Sequence, residues 1–229
     1  MPFILLNDPY RWSKALYRFK EVFGRAIRHR IFTAIEHGAD HEVLRLASKR
    51  VLLRCKDEWG SSPLVAAIAM NREMLVSQFI ELGGMQVGDG AIAQAAMRGN
   101  IAIVEMLLDA GKDPNEPLPG DDIHSRNTPL MWAVNRKYIP IVRALLEAGA
   151  DVNAVSADGS TAIMFTRDSE PLSLEALELL CSYNADPTTK DSRGRNIIRE
   201  AQDRWRCSGK PEMLEILKRY HPTTNLDQT

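Results

Sequence analysis

Little in this chain points toward covalent cross-links, membranes or metals. Only three cysteines occur, Cys55, Cys181 and Cys207, an odd number without metal-ligand spacing. That excludes a disulfide framework and suits a reducing compartment. No apolar run approaches the roughly 18–20 residues of a membrane-spanning helix. The apolar start, Met1 to Leu6, is cut short by Asn7-Asp8-Pro9 and lacks the basic region and cleavage site of a secretory signal. A cytoplasmic location is therefore expected. Net charge is scarce as well: at −1, the chain has no global attraction to nucleic acid or membrane.

A globular composition is present instead, with 45% hydrophobic and 26% charged residues over 229 positions. A turn, a short Ala-rich helix, a Gly-type break and a Leu-rich helix return along it. The clearest copy runs Asn127-Thr128-Pro129-Leu130-Met131-Trp132-Ala133-Val134, then Ile141 through Asn153. With Pro129 as register mark, equivalent positions fall at Arg30, Pro63, Ala91, Ala162 and Ile197. Four residues on stand Ala34, Ala67, Ala95, Ala133, Thr166 and Ala201, small enough for neighbouring helices to approach closely. Eight residues on, Gly38 and Gly99, with Asn71 as substitute, end the first helix. Apolar stripes such as Leu75-Val76-Phe79-Ile80 and Ile103-Val104-Leu107-Leu108 mark the second helices.

On these residues the chain resembles the ankyrin-repeat family, whose period is 33 residues and whose signature is T-P-L-H-x-A. Gly149-Ala150-Asp151-Val152-Asn153, Asn184-Ala185-Asp186-Pro187 and Gly111-Lys112-Asp113-Pro114-Asn115 are versions of its helix-exit turn. The family histidine is replaced throughout, by Val65, Ala93, Met131, Met164 and Arg199, which weakens the inter-repeat bonding expected of it. The resemblance implies an all-α solenoid of about six helix-turn-helix repeats, near 29–56, 57–84, 85–118, 123–155, 156–189 and 190–220. Residues 1–28 are read as a basic amphipathic capping helix and 221–229 as a flexible tail. Intervals between marks are 33, 28, 38, 33 and 35 residues, so one repeat is shortened around Met85–Gly90 and another lengthened in Pro114–Asn127.

Catalytic and cofactor patterns dissolve in this register. Gly88-Asp89-Gly90-Ala91-Ile92-Ala93 fits a loose phosphate-loop pattern but lacks the preceding strand, so it reads as an inter-repeat turn. His37 and His41 have the i, i+4 spacing of metal ligands, yet Gly38 places them on different helices. The adjacent acids Asp121-Asp122 are loop charges without the enclosure that acid–base catalysis needs. No catalytic, cofactor or metal site is expected, and no enzyme.

The family resemblance instead implies a protein partner held on the turn tips and the solvent side of the first helices. The candidate residues are Glu58, Trp59, Met70, Arg98, His124, Asn135, Arg136, Asp158 and Arg193. Trp59 leads, because interface hot spots are enriched in Trp and Arg. Trp132 is expected in the core and Trp205 in the terminal cap. Nucleic acid is not an expected partner, nothing indicates a homo-oligomer, and the partner's identity stays open. The alternative is a membrane-peripheral adaptor: Trp12, Leu16, Phe19, Phe23 and Ile27 form a stripe opposite Lys14, Arg18, Glu21, Arg25 and Arg28.

Overall fold

The computed structural model describes residues 28–222 other than 49, 59, 121–125, 168–169 and 210, together with residue 26. The expected leader helix of residues 1–28 and most of the tail thus lie outside the described residues.

Helices come in pairs. After α1 (28–37) stand α2 (Asp40–Ala47), α3 (Pro63–Ala69), α4 (Glu73–Glu81), α5 (Ala91–Arg98) and α6 (Ile101–Asp109). Then follow α7 (Pro129–Asn135), α8 (Ile139–Glu147), α9 (Pro171–Ser182), α10 (Ile197–Ser208) and α11 (Glu212–Tyr220), with 3-10 turns at Arg50–Arg54 and Ala162–Thr166. No strand occurs among the described residues. In the inner layer α3, α5, α7, the Ala162–Thr166 turn and α10 pack each on the next; in the outer layer α2, α4, α6, α8, α9 and α11 do the same.

Local chemistry sets the helix starts. Ser62 and Thr128 cap α3 and α7 by accepting from the amides of Val65 and Met131, with Pro63 and Pro129 at the first helical position, where no amide donor is missed. Asn100 and Asn196 cap α6 and α10 in the same way. All six small residues four after the mark are buried. Thr166 differs in carrying a branched hydroxyl side chain, which donates to the Ile163 carbonyl at 2.7 Å. That i−3 bond accompanies a 3-10 turn where the period predicts an α-helix.

Eight residues after the mark the backbone turns left-handed at Gly38, Asn71, Gly99 and Lys137. These positions form a seam between repeats. The Arg72 guanidinium covers Gly38 and the Tyr138 ring covers Gly99, each side chain standing nine after the next mark. Asn100 donates to the Asn71 side chain at 2.6 Å, and Lys137 pairs with Glu170. A second seam links the exit turns: the Asp151 amide donates to Asn115 Oδ1, and the Asp186 amide to Asn153 Oδ1, both at 2.7 Å. Inter-repeat hydrogen bonding therefore persists without the family histidine, carried by turn asparagines.

The two irregular intervals compensate for each other. Together 28 and 38 residues make two 33-residue periods, and the inserted stretch folds back onto the shortened turn. Leu118 and Pro119 lie against Gly90, and the Gly90 amide donates to Glu116 Oε1 at 2.8 Å. Between them Lys112 is buried, its side chain 6% exposed, with Nζ 2.6 Å from Asp89 Oδ1 and 3.3 Å from both Glu116 oxygens. Its third donor reaches the Gln86 carbonyl. The other two exit turns hold Ala150 and Ala185 at this position. A lysine here thus ties the inserted stretch to the shortened turn before α5.

Two expectations about tryptophan need correction. Trp132 packs against the core half-buried and does not enter it. Trp205 is 52% exposed and does not fill the cap. The cause is the length of α10, which runs to Ser208: Trp205 stands eight after its mark, where other repeats end the helix, and no seventh inner helix covers it among the described residues.

Candidate functional site

Two kinds of surface meet on the inner side: the free face of the first helices and the tips of the turns. Positions three and seven after the mark lie i, i+4 on one helix face. On α5 these are Gln94, half-buried, and Arg98, exposed; at α7 they are Trp132, half-buried, and Arg136, exposed just beyond the helix. Phe165, half-buried, repeats the third position in the next repeat. Asn135 is exposed beside Arg136, and Met70 is 46% exposed at the seventh position of its own repeat. Because α5 packs on α7 and α7 on the Ala162–Thr166 turn, these side chains form adjacent rungs. They make a strip with an aromatic floor and guanidinium groups along it. The helical spacing could have placed Trp132 there, since it stands four before exposed Arg136.

The tips share one construction. Amides of Asp57, Ser156 and Asp191 donate to the carbonyls of Ser61, Ser160 and Arg195, each closing a five-residue turn around a left-handed glycine. Neighbouring tips are joined where the Ser192 amide donates to the Asp158 carbonyl at 2.8 Å. Glu58 and Arg193 are exposed on these tips. Asp158 is instead bound into its own turn, accepting from Ser156 Oγ at 2.6 Å and the Ser160 amide at 3.1 Å. The Ser156 hydroxyl, more than any other contact, holds its carboxyl below the usual carboxylate range. That side chain shapes the tip. Trp59 and His124 lie outside the described residues.

Asp191 is the most heavily engaged tip carboxylate. Burial alone would raise its pKa, but the Arg193 and Arg195 amides at 2.9 Å and the Arg195 guanidinium outweigh burial and lower it. Asp186 is lowered as well: burial again acts to raise it, and hydrogen bonds from Thr188 and Thr189 overcome that. A carboxylate whose folded pKa lies below its unfolded value of about 3.9 stabilises the fold above that pH and loses the contribution as pH falls through the folded value. Urea unfolding should therefore give lower stability at pH 3 than at pH 6. Asp191→Asn should be less stable at pH 6 and lose less on acidification; an unchanged pH dependence would contradict this role.

Reactive groups are muted. Burial pushes the Cys181 thiol up to about 12 and raises Cys55 too, so neither is a ready nucleophile. His37 and His41 lie on α1 and α2, separated by left-handed Gly38, and His37 Nδ1 is 2.7 Å from the Thr33 carbonyl. Among the described residues no three His, Cys, Asp or Glu side chains cluster as metal ligands, and no helix is long and apolar enough to cross a membrane.

Residues 92–191 match the ankyrin-repeat family model in three copies. Ankyrin repeat, SAM and basic leucine zipper domain-containing protein 1 of Dasypus novemcinctus is 32% identical over 131 residues, 56% of this chain and 25% of that protein. Ankyrin repeat and KH domain-containing protein mask of Drosophila melanogaster is 31% identical over 108 residues, 47% of this chain and 3% of that protein. The chain thus spans a quarter or less of these relatives' length. A crystal structure of an ankyrin repeat domain from Acinetobacter baumannii AYE superposes with a TM-score of 0.70 at 24% identity, covering 84% of this chain and 97% of that one. A second solved ankyrin-repeat protein gives 0.69 at 22% identity, covering 83% and 97%. Residues 92–191 therefore carry three ankyrin repeats, inside a longer array that has the ankyrin-repeat fold.

Proposed function

We propose that this protein is a non-catalytic interaction module that holds an acidic segment of a partner protein along its inner face, blocking or positioning that partner. Ankyrin repeats are generally protein-interaction modules, and this fold is typically a scaffold without catalysis. The observation that carries the reading is the strip built by Trp132 and Phe165 with exposed Arg98 and Arg136 on successive repeats. A guanidinium binds carboxylates bidentately, and the rings supply apolar area that loses little entropy on binding. Met70 and Asn135, exposed at the ends of α3 and α7, and Glu58 and Arg193, exposed on the tips, are the further contact residues of this reading, and a cytoplasmic setting belongs to it.

The test is affinity enrichment with quantitative mass spectrometry, comparing the native chain with Arg98→Glu/Arg136→Glu. A partner bound as proposed should fall at least tenfold in recovery, since losing two charge-assisted contacts costs more than about 1.4 kcal/mol. Melting temperature should hold, because both side chains are exposed. Equal recovery from both proteins would remove the inner face as the site.

A further inference from the structure

The outer layer carries a second surface that the inner-face reading does not use. Between α6, α8 and α9 runs an open groove of about 570 Å³. Its apolar lining comes from Ile101, Pro140, Ala144 and Leu172, the last 49% exposed. Ten residues after the mark, in the first turn of the outer helices of the first five repeats, the first two repeats carry Asp40 and Glu73. An acid there suits the positive end of a helix. The next three repeats carry Ile101, Ile139 and Leu172 instead, forgoing that stabilisation in the repeats that build the groove.

Charge around the groove has one dominant sign. Glu105, Glu147 and Glu175 line it, and none forms an ion pair among the described residues. Two cations also line it: Lys137 is paired with Glu170, and Arg143 is exposed. Three unpaired carboxylates against one unpaired guanidinium leave a net negative rim over an apolar floor. Adjacent packed helices stand about 8–10 Å apart, so a groove crossing three of them is roughly 20 Å long. A helix of roughly 14 residues covers that distance at 1.5 Å per residue.

We propose that this outer groove binds a cationic amphipathic helix from another protein, with Leu-type side chains on the floor and Lys or Arg facing Glu105, Glu147 and Glu175. The site is independent of the inner-face strip and lies on the opposite layer. One ankyrin array would then bridge an acidic segment on one side and a basic helix on the other.

The probe is a fluorescein-labelled 14-residue peptide with Leu at helical spacing and Lys elsewhere, titrated into the full chain by fluorescence anisotropy. Two peptides serve as comparison, one with Glu in place of Lys and one with the same composition scrambled. Saturable binding of the Lys peptide is expected, at least tenfold tighter than either comparison and weakening with salt. Glu105→Lys/Glu175→Lys and Leu172→Asp should each weaken it at least tenfold with the melting temperature held. Glu81→Lys, an exposed acid outside the groove, should change it less than twofold. Carbodiimide cross-links should join the peptide to Glu105, Glu147 or Glu175. Equal binding of the scrambled peptide, insensitivity to the groove variants, or cross-links to other carboxylates would each overturn the proposal. So would cross-links from Lys14 or Lys20 of this chain to those three glutamates in its absence, since the occupant would then be this chain itself.

Discussion

Replacing Lys112 by methionine should cost about 3–5 kcal/mol of folding stability, the range for breaking a buried ion pair from one side. The substitution keeps the side chain's length and removes three donors. Behind it remain Asp89, its side chain 3% exposed, and Glu116, 10% exposed. In the native cluster a single lysine serves both carboxylates. The second negative charge is met by backbone amides at the start of α5: Glu116 accepts from Gly90, and Asp89 from Ala91 at 3.0 Å. A helix N-terminus favours negative charge, so the arrangement balances as long as the lysine is present. Without it, both carboxylates face the same few amides.

Two further variants separate charge from packing. Lys112→Met/Glu116→Gln should be more stable than Lys112→Met alone, because one uncompensated charge is gone. Lys112→Arg should be worse than neutral, since the larger planar group does not fit a site shaped for a compact ammonium. Urea unfolding at pH 7 measures all three. A loss below about 1 kcal/mol for Lys112→Met would mean that the cluster is hydrated and does not hold the inserted stretch to the shortened turn.

The second large effect is expected at the seam. Gly99→Ala should cost about 2–4 kcal/mol, combining a left-handed backbone with a blocked approach. At φ +81° an alanine is strained, and its Cβ would stand 2.5 Å from the Tyr138 ring. Gly111 offers the matched control: its φ is +84°, with nothing within 4 Å of a Cβ. Gly111→Ala should therefore cost only about 1–2 kcal/mol, the backbone part alone. On a Tyr138→Ala background the difference between the two sites should shrink toward zero. Equal losses at both positions would show that Tyr138 yields freely and that the seam is loose.

These two sites also mark where the sequence was readable and where it was not. The period, the small residues four after the mark and the left-handed positions eight after it are properties of single positions. They are visible in Pro63, Ala67 and Asn71 without knowledge of any neighbour. Tyr138 over Gly99 and Arg72 over Gly38 join residues from different repeats, and a register alone does not say which side chain covers which glycine. Lys112 is a departure that the register does show. It stands where Ala150 and Ala185 stand, between two intervals whose irregularities cancel. Trp132 departs from the core because position three shares a helix face with its i, i+4 mate Arg136, which is exposed. Trp205 departs from the cap because α10 continues past the point where the repeats before it stop. The tip aspartates illustrate the same limit: Asp158 has the chemistry of a contact residue, and only its bonds to Ser156 and Ser160 reveal that it shapes the turn.

Hydrogen–deuterium exchange on the chain, free and saturated with its enriched partner, tests the central account most directly. Slower exchange is expected in 91–98 and 129–136, the helices bearing Arg98, Trp132 and Arg136, and the change should vanish with Arg98→Glu/Arg136→Glu. Protection confined to the outer helices α6, α8 and α9, with 91–98 and 129–136 unaltered, would contradict it.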